Sequence, residues 1–170
     1  NIARCLKSVK EIADEIIVFD EYSTDNTKKI AESLGAKVYL EPHHDIFHIT
    51  KQKAIDTAKG EWVLQMDADE VITSELAEEI VKVIKMTDEE ILNRKPKSEK
   101  LQKLFERHQK LIEERDGKID KDTNEVVAFF IPRRNMFLGK PLIHGGVYPD
   151  PAIRLIKKGK FSLAYENKIR

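Results

Sequence analysis

Cysteine is nearly absent from these 170 residues: one thiol, Cys5, excludes an internal disulfide framework and suits a reducing compartment. No run of about 18 apolar residues occurs, so no segment reads as a membrane-spanning helix. Asn1-Ile2-Ala3-Arg4 does not open a basic, apolar leader. A charge excess of one sign is missing too. Thirty Lys and Arg residues cancel thirty Asp and Glu residues, and that balance argues for no nucleic-acid partner. Internal repeats and low-complexity tracts are absent. What remains is one domain, residues 1–170, long enough to bury roughly 70 % of its unfolded surface. The opening residues already have mid-helix character, so the chain is expected to begin inside a domain.

Residues 61–70, Glu-Trp-Val-Leu-Gln-Met-Asp-Ala-Asp-Glu, organise the rest. Trp62, Val63, Leu64 and Met66 form an apolar run behind Gly60, too short for a helix and suited to a buried central strand. The run ends in Asp67, Asp69 and Glu70. In open α/β sheets ligands bind beyond the carboxyl ends of the strands. Two carboxylates there can share a divalent cation whose shell is completed by phosphate oxygens. The same acids also fit a solvated loop leading into a helix, with Glu75 complementing its dipole. Spacing alone leaves both readings standing.

Taken in order, Ile2, Cys5, Leu6, Val9 and Ile12 recur at helical spacing. Glu15 to Phe19 is an apolar, β-branched run that predicts a buried strand. It empties into the polar loop 20–27, rich in N-cap candidates. A helix is expected from Asn26 to Leu34, stopped by Gly35, and then a strand from Ala36 to Leu40. The loop Glu41-Pro42-His43-His44-Asp45 precedes a helix from Phe47 to Lys59. This alternation predicts an α/β fold with a mostly parallel sheet flanked by helices.

The second half differs in texture. Ser74 is a candidate cap for a helix carrying Leu76, Ile80, Val81, Val83 and Ile84. Thr87 and Glu90 have capping-box spacing ahead of a short helix that stops before Pro96. Ser98 is a candidate cap for a longer helix, whose stripe of Leu101, Leu104, Phe105, His108, Leu111 and Ile112 reads as core packing. A dimer seam or an interfacial membrane helix is the lesser reading of that stripe, and its mixed charge argues against the membrane. His108 reads as a hydrogen-bonded core histidine. Val126 to Pro132 reads as a strand, and 144–150, His-Gly-Gly-Val-Tyr-Pro-Asp, as a loop whose glycines let backbone approach a ligand. Residues 152–156 and 161–165 flank Lys158-Gly159-Lys160 as a C-terminal β-hairpin.

These residues carry a resemblance. The stretch 16–27, Ile-Ile-Val-Phe-Asp-Glu-Tyr-Ser-Thr-Asp-Asn-Thr, resembles the nucleotide-binding strand and loop of family-two glycosyltransferases with the Rossmann-like GT-A fold. Lys51-Gln52-Lys53-Ala54, then Ala58 to Trp62, then Asp67-Ala68-Asp69-Glu70, follow in that family's order. Pro132-Arg133-Arg134-Asn135, Phe137-Leu138-Gly139 and residues 144–150 resemble a narrower branch, the bacterial lipopolysaccharide-core glucosyltransferase-like proteins. The match omits 87–124, which reads as a helical insertion. Gln52 stands where the family usually has Asn, and Val147 where an aromatic is common. The family's first strand would precede Asn1.

The resemblance implies an inverting transfer of a sugar from a nucleotide diphosphate, such as a UDP-hexose, to a glycan or lipid-linked acceptor. It implies a divalent cation, Mg²⁺ or Mn²⁺, on Asp69 with Asp67, the latter also orienting the donor. Asp20 and Glu21 would lie near base and ribose, Lys51 would face the nucleotide and Arg154 the phosphates. His144 would bind acceptor or phosphate, or scaffold its loop. Asp150 would be the base, its rivals being a plain turn role and a family Glu beyond residue 170. A cytoplasmic place follows, with peripheral contact at the inner face of the cell membrane. Rival readings are a sugar nucleotidyltransferase, whose Gly-rich first loop is not found here, and a degenerate, non-catalytic GT-A-like binding domain. A haloacid-dehalogenase-type phosphatase would need an Asp where Tyr22 stands.

Overall fold

The computed structural model describes residues 1–95, 98–116, 125–143, 148 and 150–160. The chain divides into two compact units, residues 1–85 with 156–170, and residues 86–155.

In the first unit, α1 (Ile2–Val9) buries Ile2, Cys5, Leu6 and Val9, the apolar face that its spacing predicts. β1 (Ile17–Asp20) and β2 (Lys37–Leu40) pair in parallel, Ile17 opposite Lys37 and Asp20 opposite Leu40. The helix between them, α2 (Thr27–Ser33), ends where Gly35 takes φ 90°, a left-handed stop that only glycine adopts without strain. Ile2, Leu6, Ala31 and Ala36 form the core, with Ile16, Val18, Leu34 and Val38 against it. α3 (Phe47–Thr57) packs on β1 and leads to β3 (Trp62–Leu64). The expected buried central strand is half-buried instead, as are Ile17 to Phe19 in β1, where the buried residue is the carboxylate Asp20. α4 (Ser74–Val83) is capped one residue earlier than expected. Thr73, not Ser74, accepts the Leu76 N–H, at 3.2 Å.

In the second unit, α5 (Asp88–Leu92) carries the expected capping box: Glu90 donates its N–H to Thr87 Oγ1 at 3.2 Å, and Thr87 donates its own to Glu90 Oε2 at 2.8 Å. α6 (Glu99–Asp116) starts on Ser98, whose Oγ accepts the Leu101 N–H. Its stripe is only partly core. His108 and Ile112 are buried, whereas Leu101 and Phe105 are exposed. β4 (Ala128–Arg133) lies beside β7 (Asp150–Lys157), and Arg115 donates to the Pro151 carbonyl at 3.2 Å. β7 runs out of this unit into the first, where Lys158 donates its N–H to the Glu61 carbonyl at 2.8 Å.

Between β4 and β7, β5 (Met136–Phe137) and β6 (Lys140–Pro141) pair antiparallel around Leu138 and Gly139. Both turn residues have positive φ, 48° and 75°, the pattern of a type I′ turn. A leucine held left-handed costs about 1–2 kcal/mol. The described residues do not confirm a mostly parallel sheet: the sheets are small, with β1 and β2 parallel and β5 and β6 antiparallel. The expected second arm of the C-terminal hairpin, 161–165, and the expected loop residue His144 lie outside the described residues.

Candidate functional site

β3 ends in a closed turn. Glu70 donates its N–H to the Asp67 carbonyl at 3.0 Å, and its Oε2 accepts the Asp67 N–H at 3.1 Å. Glu70 thus helps close the turn, while Asp67 is half-buried and Asp69 exposed. Asp67 Oδ1 meets Lys51 Nζ of α3 at 2.7 Å, in a half-buried ion pair. Asp69 is exposed and makes no ion pair among the described residues. The turn is backed by α1: the Cys5 thiol donates to the Asp67 carbonyl at 3.5 Å, and Ser8 Oγ accepts the Ile72 N–H at 3.3 Å. Burial first, then the charges of Glu70, Asp69 and Asp67, push the Cys5 thiol up, so it stays a donor. Sequence reasoning missed these two buttresses. They touch the turn across more than sixty residues, and no local pattern announces that.

The loop after β1 is equally constrained. Asp20 is buried and its Oδ1 accepts the Ser23 N–H at 3.0 Å, folding the loop back on the strand end. Tyr22 sits at φ 58°, a strained conformation of the kind that clusters at ligand-binding loops. Glu21 accepts from Thr50 Oγ1 at 2.6 Å and faces His43 Nδ1 at 2.6 Å. Those two contacts, Thr50 before His43, hold its carboxyl below the ordinary glutamate value. Glu41, held likewise below its usual value by Lys53 and then His44, fixes the loop into α3. Thr50 and His43 hold Glu21 through contacts that spacing did not reveal.

Among the described residues no group of three or more His, Cys, Asp or Glu side chains could hold a metal ion. A cation shared with a diphosphate needs only one or two protein carboxylates, since phosphate oxygens and water complete its shell. Asp69 and Asp67 supply hard oxygen donors of that number, so the residues present fit such an ion.

In the second unit Asp150 opens β7. Its Oδ2 accepts from Arg133 at 2.8 Å and from Asn135 Nδ2 at 3.0 Å. No bond to its Oδ1 occurs among the described residues. Arg154 is buried within β7, 7 % exposed. No described helix is long and apolar enough to cross a membrane.

Part of the chain is similar to known proteins. A stretch of this chain is 48 % identical over 80 residues to an uncharacterized glycosyltransferase of Rickettsia bellii, covering 46 % of this chain and 26 % of that protein. It is 35 % identical over 89 residues to the SPbeta prophage-derived glycosyltransferase SunS of Bacillus subtilis, covering 51 % and 21 %. A TPR repeat-containing protein of Synechococcus elongatus matches at 43 % over 74 residues, 44 % of this chain and 18 % of that one. The match thus spans about a quarter or less of these relatives. The profile described as Glycosyl transferase family 2 matches residues 1–146, and the chain belongs to that family, whose domain has the GT-A fold.

Proposed function

We propose that the protein is an inverting glycosyltransferase that moves a hexose from a nucleotide diphosphate, UDP-hexose by preference, to a glycan or lipid-linked acceptor of the bacterial cell envelope. The observation that carries this reading is the Lys51–Asp67 contact at 2.7 Å, which sets a cation of α3 against the acid turn closing β3. Asp69 and Asp67 would hold a divalent cation, Mg²⁺ or Mn²⁺, which when bound neutralises the departing diphosphate. Lys51 lends its ammonium to the nucleotide phosphates, and its bond to Asp67 keeps it aimed before the donor arrives. Asp20 and Glu21 close on base and ribose, their carboxylates held by Ser23, Thr50 and His43. Because these groups are fixed in advance, little reorganisation accompanies binding.

Asp150 takes the acceptor's proton on Oδ1 while Arg133 and Asn135 hold Oδ2 and fix its orientation. Arg154 would meet the donor phosphates, and His144 acceptor or phosphate. The lipid-linked acceptor brings peripheral contact with the inner face of the membrane.

Calorimetric titration with UDP, with and without Mn²⁺, tests the donor half. Wild type should bind UDP more tightly when Mn²⁺ is present, and Asp69→Ala should abolish that gain. A variant that keeps the full Mn²⁺ effect removes the acid turn from the donor site. Asp150→Asn should bind UDP normally yet lose transfer, and wild-type turnover in it would move the base elsewhere.

A further inference from the structure

In the second unit three consecutive large apolar residues are exposed together at one turn. Met136 is 58 % exposed, Phe137 62 % and Leu138 87 %, and together they make up one side and the tip of the β5–β6 hairpin. Isolated exposed leucines are ordinary, whereas three consecutive large apolar residues on a projecting turn are not. The tip also has a backbone that leucine disfavours: Leu138 sits at φ 48° where glycine or asparagine forms the same turn without strain. Nothing in the packing of the hairpin requires a leucine there, because its side chain faces solvent.

The charges carried by the hairpin's own stretch of sequence are of one sign. Between Glu125 and Asp150 the chain carries no acidic residue, although acids and bases balance over its whole length. Of the basic residues in that interval, Arg133 is neutralised by Asp150. Arg134 and Lys140 are exposed and have no ionic partner among the described residues. An apolar tip flanked by unpaired cations is complementary to a surface with negative headgroups over an apolar interior. It is poorly complementary to itself. A symmetric contact between two copies would bring Arg134 and Lys140 up against their own counterparts.

We propose that the β5–β6 hairpin docks on an anionic lipid bilayer, with Phe137 and Leu138 entering the acyl boundary and Arg134 and Lys140 meeting lipid phosphates. This places on the fold the membrane contact of the proposed function and rests on that part of it. The donor site does not enter into it.

Sedimentation of the full-length protein with phosphatidylcholine vesicles, alone or mixed with phosphatidylglycerol, tests it. Wild type should pellet with the mixed vesicles and stay largely in solution with the neutral ones. Phe137→Ser should weaken binding on the order of tenfold and Lys140→Gln about fivefold. Leu138→Gly, which suits the turn better than leucine, supplies a variant that folds and still loses binding. Wild type left in the supernatant with both vesicle types overturns the proposal. So does undiminished binding by the three variants, or a self-association in sedimentation velocity that the variants abolish while vesicles stay unbound. UDP titration of the same samples reads the donor site separately: vesicle binding without UDP binding sinks the transferase reading and leaves the docking intact.

Discussion

The first unit holds its carboxylates with fixed partners, Thr50 and His43 on Glu21, Lys53 and His44 on Glu41, Lys51 on Asp67. The second unit turns Leu138 out to water. The contrast separates two kinds of functional design. Charges fixed in advance suit a small charged ligand, because little has to move when it arrives. An apolar tip and a strained turn are departures from what folding alone would select, and such departures point to a surface with a task.

The comparison is broken most directly through the core. Ile156 is 1 % exposed where β7 enters the first unit. Ile156→Ala should cost about 2–5 kcal/mol in urea unfolding. Phe105→Ala, at a position 53 % exposed on α6, should stay within about 0.5 kcal/mol of wild type. Equal effects at the two positions would mean that the helical stripe is covered after all.

A smaller effect distinguishes ligand binding from folding in the first unit. Lys51→Met breaks a half-buried pair, so stability should fall by about 1 kcal/mol or less. UDP affinity should fall on the order of tenfold, since in the proposed donor site this ammonium meets the phosphates. A large loss of stability with unchanged UDP affinity would make Lys51 a strut and nothing more.

Legibility followed the range of the interactions. The helix stops and caps that depend on a few neighbouring residues, Gly35, Thr87 with Glu90, and Ser98, stand in the structure where the sequence puts them. The acid turn was legible as acids but not as a division of labour. Glu70 holds the backbone and Asp67 meets Lys51 because of contacts that spacing along the chain does not encode. The Cys5 and Ser8 buttresses were illegible for the same reason. The β5–β6 hairpin was missed because Leu138-Gly139 lacks the asparagine or aspartate that usually announces a type I′ turn. The residues that break the local rule were the hardest to place.

His108 sharpens the contrast through pH. Burial, and then the charge of Arg115, lower its pKa from the ordinary histidine value. The folded state therefore holds fewer protons than the unfolded chain just below that value, so stability falls as pH drops through about 6.5. His108→Leu removes the titrating group and fills the same space beside Phe130, whose ring meets the imidazole edge-on at 6.5 Å. The variant should match or exceed wild type by about 1 kcal/mol at neutral pH. Its advantage should widen toward pH 5, in urea midpoints measured side by side. A constant difference across that range would assign His108 a hydrogen bond that survives protonation.

The smallest effect bears most directly on the second unit. Leu138→Gly relieves a left-handed leucine but loosens the unfolded chain, so the net gain should be about 0.5 kcal/mol, read as a rise in the urea midpoint. The side chain removed is 87 % exposed, so no packing is lost to offset that gain. If the midpoint rises while vesicle binding is lost, leucine stands at the tip for what it touches outside the chain and against the preference of its own backbone. If the midpoint falls, the side chain is covered by the protein, and the hairpin belongs to the fold as the polar loops of the first unit do.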